Sequence, residues 1–166
     1  SLADAPNGRL LRLPADAISL DGATEVVPEG SGSIGRWVVT DSLVHVALHE
    51  GGPSELRAYR HDGTLVATAP TPPVTSIRSL VSLEGDEVLF SVGSYTRPEA
   101  FRRWTGRAGE PLREAALRIS SPADFSGIEV VREWAASRDG TRVPISVLRP
   151  RGARLDGSNQ IGRAHV

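Results

Sequence analysis

Few side chains in this sequence have types and spacings that could do chemistry. His45 and His49 stand four apart, and two imidazoles at that spacing can chelate a metal when a helix puts them on one face. Ser42-Leu43-Val44-His45-Val46-Ala47-Leu48-His49 reads as a strand instead. Four strand residues span about 13 Å, too far for two ligands that each sit about 2 Å from one ion, so the pair reads as structural. His61 precedes Asp62-Gly63 and reads as a turn residue. Ser158, in Gly157-Ser158-Asn159, invites comparison with a serine nucleophile. A nucleophile elbow needs small residues two before and two after the serine, on a strand-to-helix turn; here those positions hold Asp156 and Gln160. Arg149, Arg151 and Arg154 could meet a phosphate, but in a chain without basic excess they read as a solvated loop. Asp86 and Glu87 adjoin Gly85 and read as solvated turn carboxylates. Trp37, Trp104 and Trp134 fall on strand patterns, where packing in a core or interface is expected. No phosphate loop, zinc spacing or calcium loop occurs. The expectation is therefore no catalytic residue, no cofactor and no metal ligand in this chain.

Composition narrows the partners. The 166 residues suffice for one domain of ordinary size, with 39% hydrophobic and 23% charged residues. A net charge of −1 gives no electrostatic reason to expect nucleic acid or an anionic membrane. Without Cys there is no disulfide, Cys-ligated metal or Cys nucleophile. Lys is also absent, so all 19 basic side chains are Arg, which reads as a codon bias. No apolar run approaches the roughly 18 residues of a membrane helix. Ser1-Leu2-Ala3-Asp4 has neither the basic start nor the apolar core of a signal peptide. The expected compartment is the cytoplasm; a secreted or periplasmic location stays open because the chain lacks an initiator Met.

The elements that would position any site are short strands. Candidates run over residues 8–13, 24–27, 36–40, 43–48, 55–59, 65–68, 77–83, 87–92 and 100–104, with 112–117 as either a strand or a short helical turn. Runs of this length at roughly ten-residue spacing predict a sandwich, barrel or propeller. An internal repeat selects among these. An offset of 45 places Pro53 on Pro98, Leu56 on Phe101, Arg57 on Arg102 and Tyr59 on Trp104, and also Leu43 on Val88 and Val44 on Leu89. An offset of 46 places Leu10 on Leu56 and Leu13 on Tyr59. Four short strands per period of 40 to 50 is the pattern of a propeller blade. Ser120-Ser121-Pro122-Ala123-Asp124 then reads as a linker, and a hairpin follows. Its strands cover 128–136 and 143–148, and Asp139-Gly140 predicts a two-residue turn with both central residues at positive φ.

That hairpin carries a resemblance. Glu133-Trp134-Ala135-Ala136-Ser137-Arg138-Asp139-Gly140-Thr141-Arg142-Val143-Pro144-Ile145 resembles the segment that opens the peptidase domain of the prolyl oligopeptidase family. Leu155-Asp156-Gly157-Ser158-Asn159 is similar to the loop that follows it there, and Phe90-Ser91-Val92-Gly93-Ser94-Tyr95-Thr96-Arg97-Pro98 to a stretch of its last propeller blades. The resemblance covers residues 1–159. It implies a seven-bladed propeller paired with an α/β-hydrolase domain, in which an activated Ser, a His and an Asp cleave short peptides after Pro. The chain departs from the pattern at Gln160, and residues 160–166 read as a translated sequencing or cloning scar, which removes His165 from consideration.

Together these readings predict an all-β chain. Residues 1–120 form a partial β-propeller, its last two to three blades. Residues 121–159 form a linker and the first β-hairpin of an α/β-hydrolase domain, and 160–166 the artefact. The implied parent is a serine endopeptidase acting on prolyl bonds, and this fragment alone is expected to be inactive. Its expected partners are peptide substrates of the parent and, within the same protein, the remaining blades and the hydrolase domain. The alternatives are a non-catalytic propeller interaction module and a secreted β-sandwich binding domain.

Overall fold

The structure, a computed structural model, describes residues 4–16, 19–159 and 162. The scar assigned to residues 160–166 and His165 within it thus lie, but for Gly162, outside the described residues. The chain divides into two compact units, Ser1–Ser120 and Ser121–Val166. Among the described residues there are twelve strands and no helix.

The first unit holds three antiparallel sheets. β1 (Leu10–Arg12) and β2 (Thr24–Val27) form a two-stranded sheet. β3 (Ser33–Val39), β4 (Leu43–His49), β5 (Ser54–Arg60) and β6 (Leu65–Thr68) follow one another in a four-stranded meander. β7 (Ser76–Ser82), β8 (Val88–Gly93), β9 (Ala100–Trp104) and β10 (Arg113–Arg118) form a second one in the same order. The Gly51-Gly52-Pro53 and Pro70 to Pro73 breaks end strands where the sequence predicts. The stretch 112–117 settles as strand, β10 beginning at Arg113, one residue after the expected start. Glu114, Ala115 and Leu117 are good helix formers, but pairing with β9 along the sheet edge overrides that preference.

Burial explains why β4 is a continuous apolar run. Its alternate residues face opposite ways, and both faces are covered. Leu43 and Ala47 join Leu56, Ala58, Ile77, Leu80, Val88, Phe90, Val92 and Trp104 in a core shared with the second meander. Val44, Val46 and Leu48 join Tyr59, Val26 and Val27 in a core shared with the β1–β2 hairpin. Each large side chain so buried contributes about 2 kcal/mol.

The two meanders repeat with a register that differs from the one the sequence predicts. Val44 pairs with Tyr59 in the first, and Val88 with Trp104 in the second. The counterpart of Val88 is therefore Val44, not Leu43. The 45-residue offset holds for β5 and β9 but slips by one along β4 and β8, and a one-residue slip turns every side chain to the other face. The inner strands repeat as well. Ile34 and Trp37 pair with Leu48 and Val46, and Ile77 and Leu80 with Val92 and Phe90, each pair of steps flanking a bulge at the same place.

The second unit contains β11 (Ile128–Ala136) and β12 (Arg142–Pro150), paired from Ile128–Pro150 to Ala136–Arg142. Its turn corrects the two-residue expectation. Ser137 N–H donates to Thr141 O (2.8 Å) and Gly140 N–H to Ser137 O (3.0 Å), so the loop is the three residues Arg138, Asp139 and Gly140. Only Gly140 takes positive φ, at 82°. This is a turn followed by a left-handed glycine, the commonest three-residue hairpin. The same loop joins β5 and β6. Arg60 N–H donates to Thr64 O and Gly63 N–H to Arg60 O. In each loop the Asp carboxylate accepts the N–H of the Thr two residues on.

Gly106 and Gly85 isolate what close packing adds to backbone geometry. Both have positive φ. A Cβ on Gly106 would lie 2.6 Å from Leu43 Cδ1 and 2.9 Å from His45 Cε1, whereas one on Gly85 would meet nothing within 4 Å. Gly85→Ala is expected to destabilise the first unit by about 1 kcal/mol from φ strain alone. Gly106→Ala is expected to cost about 3 kcal/mol because overpacking is added. Urea unfolding of the two variants measures the difference; equal losses would contradict the packing account.

Candidate functional site

The structure brings none of the sequence candidates together as a catalytic or metal site. His45 and His49 lie on β4 and use their rings separately. His49 Nδ1 shares a hydrogen bond with Ser54 Oγ (2.8 Å), and His61 Nε2–H donates to Leu43 O (3.3 Å) from the Arg60–Thr64 loop. Among the described residues no three His, Cys, Asp or Glu side chains converge on a point that could hold a metal ion. Ser158 donates its hydroxyl to Asp156 Oδ1 (2.5 Å), which also accepts the Ser158 N–H (3.0 Å). This is a local turn in which the partner of the serine hydroxyl is the neighbouring Asp156 carboxylate. The arginines diverge: Arg149 pairs with Glu129 (2.6 Å), Arg151 Nε–H donates to Ser126 O (3.2 Å), and Arg154 is exposed. Of the tryptophans only Trp104 is buried. Trp37 and Trp134 are half exposed, and Trp134 lies between the guanidinium groups of Arg132 (5.7 Å) and Arg142 (4.8 Å).

The structure does build a polar cluster around Asp86, which the sequence marked as solvated. Asp86 sits in the turn between β7 and β8 and reaches the turn between β3 and β4. Its carboxylate accepts Ser42 N–H (2.7 Å), Ser42 Oγ–H (2.5 Å) and Thr40 Oγ1–H (3.0 Å). Asp41 N–H donates to Gly85 O (3.4 Å) beside it. Glu87 is likewise engaged, by Arg103 and Arg113. Partial burial raises the Asp86 pKa, but the hydrogen bonds from Ser42 and Thr40 outweigh it and hold the carboxyl below its usual range.

Beneath this clasp lies His45, fully buried. Its Nε2 is 3.1 Å from Asp86 O. A carbonyl only accepts, so the neutral ring carries its proton on Nε2. Among the described residues Nδ1 then presents a bare lone pair with no hydrogen-bond partner, and the ring stands edge-on to Trp104 at 5.7 Å. Protonating Nδ1 would place a charged N–H in an apolar pocket. Burial accordingly pushes the pKa of His45 down to about 4, against opposing pulls from the Asp86 carbonyl and carboxylate. The cluster can hold two sheets in register.

A pH dependence follows. The unfolded imidazole takes up a proton near pH 6.5, and the folded one does so only near pH 4. Between those values the unfolded state binds more protons, so stability falls as pH falls, by up to about 3 kcal/mol. Asp86, with its lowered folded pKa, adds loss only at still lower pH. Urea midpoints measured from pH 7 to pH 4 should show this slope, and His45→Gln should flatten it above pH 5. An unchanged slope in the variant would remove His45 as its source.

No known family profile matches this chain. Solved structures do resemble it. One prolyl endopeptidase aligns at 23% identity and a TM-score of 0.76, over 92% of this chain and 23% of its own. Prolyl oligopeptidase B from Galerina marginata aligns at 14% identity and a TM-score of 0.76, over 94% of this chain and 23% of its own. Oligopeptidase B from Trypanosoma brucei aligns at 17% identity and a TM-score of 0.65, over 90% of this chain and 22% of its own. The chain thus spans less than a quarter of the length of each. At these identities the likeness establishes the fold: the chain is all-β, with the blade-like sheets of a segment of the prolyl oligopeptidases and of oligopeptidase B.

Proposed function

We propose that this chain is a segment of a prolyl oligopeptidase-type serine peptidase. Residues 1–120 supply the last two to three propeller blades, and 121–159 a linker and the opening hairpin of the peptidase domain. One coincidence carries this reading. The fold likeness extends over 92% of the chain, and the Ser137-x-Asp139-Gly140-x-x-Val143-Pro144 motif falls on the β11–β12 hairpin in the order the family implies. The parent would attack a peptide carbonyl with a base-activated serine and stabilise the resulting oxyanion by hydrogen bonds. This chain contributes scaffold to that chemistry. Among the described residues, Ser158 is held in a local turn and His45 in a contact between sheets. The proposed compartment is the cytoplasm and the proposed substrates are short peptides.

The test compares the 166-residue chain with the intact natural gene product on a prolyl p-nitroanilide peptide. The 166-residue chain should release no nitroaniline above background. The intact product should do so and lose the activity to a serine-directed fluorophosphonate. Hydrolysis of an arginyl but not a prolyl substrate would move the parent to the oligopeptidase B type. No hydrolysis of either would favour the non-catalytic propeller module.

A further inference from the structure

Five pairs in this chain join Asp or Asn to Gly: Asn7-Gly8, Asp21-Gly22, Asp62-Gly63, Asp139-Gly140 and Asp156-Gly157. Such pairs can rearrange spontaneously. The glycine nitrogen attacks the side-chain Cγ, and no β-carbon on the glycine hinders its approach. Two things oppose this. A glycine N–H held by an acceptor keeps the proton that the nitrogen must lose. A side chain engaged in its own hydrogen bond is held away from the attack, and an Asp kept ionised has no hydroxyl to lose as water. Backbone conformation does not separate the five pairs, since all five glycines have φ between 81° and 92°. Their hydrogen bonds do.

Four of the pairs are each locked by two hydrogen bonds. Asn7 Nδ2–H donates to Gly30 O (2.9 Å) and Gly8 N–H to Ala5 O (2.8 Å). Asp62 accepts Thr64 N–H (2.9 Å), and Gly63 N–H donates to Arg60 O (3.0 Å). Asp139 accepts Thr141 N–H (3.0 Å), and Gly140 N–H donates to Ser137 O (3.0 Å). Asp156 accepts both the N–H and the hydroxyl of Ser158. These bonds hold three carboxyls below their usual range, the Thr N–H foremost at Asp62 and Asp139 and the Ser158 hydroxyl at Asp156. Asp21-Gly22 differs. It is exposed in the loop between β1 and β2. Among the described residues neither the Asp21 carboxylate nor the Gly22 N–H has a hydrogen-bond partner. Asp21 N–H donates to Ser19 Oγ (3.1 Å) and Ala23 N–H to Leu20 O (3.1 Å), which shapes the turn without engaging either reacting group. A Cβ on Gly22 would meet nothing within 4 Å, so a ring has room to close there.

We propose that Asp21-Gly22 is the pair at which the folded chain isomerises to isoaspartate. The Gly22 nitrogen bonds to Asp21 Cγ and loses its proton, and the protonated side-chain carboxyl gives up its hydroxyl, so one water leaves and a succinimide closes. One water then adds to a ring carbonyl. Opening at Cγ restores aspartate. Opening at the Asp21 backbone carbonyl breaks its bond to the Gly22 nitrogen and leaves the chain running through Cγ, with a free α-carboxylate. No oxidant or other reactant is needed. The product lengthens the β1–β2 loop by one methylene, and its α-carboxylate is what an S-adenosylmethionine-dependent isoaspartyl carboxyl methyltransferase would methylate. Val26 and Val27 anchor β2 in the core beyond the loop, so the modified first unit should stay folded.

The experiment ages the 166-residue chain at neutral pH, folded and in urea. Isoaspartate is then labelled with purified isoaspartyl methyltransferase and tritiated S-adenosylmethionine. Cleavage after Arg puts the five pairs on five different peptides. In the folded chain label should accumulate at Asp21 about 10-fold faster, or more, than at the other pairs, because two hydrogen bonds must open at each of those. In urea the lead should pass to Asn7-Gly8, because the amide is lost from Cγ more readily than a carboxylate oxygen. Asp21→Glu, which would need a larger ring, should lose the label from that peptide and keep the urea midpoint of the parent chain. A second pair labelled as fast as Asp21 in the folded chain would overturn the proposal. So would the same order of rates in urea, or label persisting in the Asp21→Glu peptide.

Discussion

Burial of a single strand on both faces is the constraint on which the first unit depends. From Leu43 to Leu48 every residue of β4 is buried, whichever way it points. An antiparallel sheet with one wet face shows alternation; β4 shows none. A strand of this kind is stable only between two other layers, and the meander built on it needs a neighbour on each side. The second meander covers one face of β4 and the β1–β2 hairpin the other. Apolar contact makes the unit stack, and directed polar contacts at the turn ends add to the alignment.

Alignment comes from the polar cluster at the turn ends. Asp86 binds three donors of the β3–β4 turn with directed hydrogen bonds, which fixes one meander against the next. The backbone of Asp86 itself, in the β7–β8 turn, gives His45 a carbonyl to donate to. That bond satisfies one nitrogen and leaves the other bare, and unsatisfied buried nitrogen is costly. Gly106 belongs to the same arrangement, since only a residue without Cβ lets the chain after Trp104 pass over Leu43 and His45. The buried histidine is thus held by geometry from three sides, and its reluctance to charge is a consequence of packing, not a sign of catalysis.

Much of this was legible in the sequence, and the misses have identifiable causes. Strand positions emerged because Gly and Pro breaks punctuate apolar runs at regular spacing. The repeat was visible through Leu56, Arg57 and Tyr59, yet its register slipped along β4, because an unbroken apolar run carries no parity to say which residues face which layer. Asp86 looked solvated because its partners Thr40 and Ser42 lie 46 and 44 residues away, and only the stacking of two turns brings them near. The Asp139-Gly140 dipeptide could not separate a two-residue from a three-residue loop. The signal that could have done so was the recurrence of Asp-Gly-Thr at residues 62–64 and 139–141, where the Thr N–H returns to the Asp carboxylate in both loops.

That recurrence also explains why a short motif can mark a local fold without taking part in any chemistry. In the β11–β12 hairpin, Asp139 accepts its own loop's N–H, Gly140 supplies the left-handed φ, and Pro144 lies opposite Trp134 in a two-stranded ladder that spares each strand one edge. Each residue answers a backbone requirement of the turn or the ladder. Such requirements are local, so a short stretch of sequence is enough to express them. A catalytic constellation is assembled from residues far apart in the chain and cannot be read from one hairpin. The residues that announce the fold and the residues that would do the chemistry are therefore different sets, and the polar cluster this chain does contain, at Asp86, is a place where one sheet is fixed to the next.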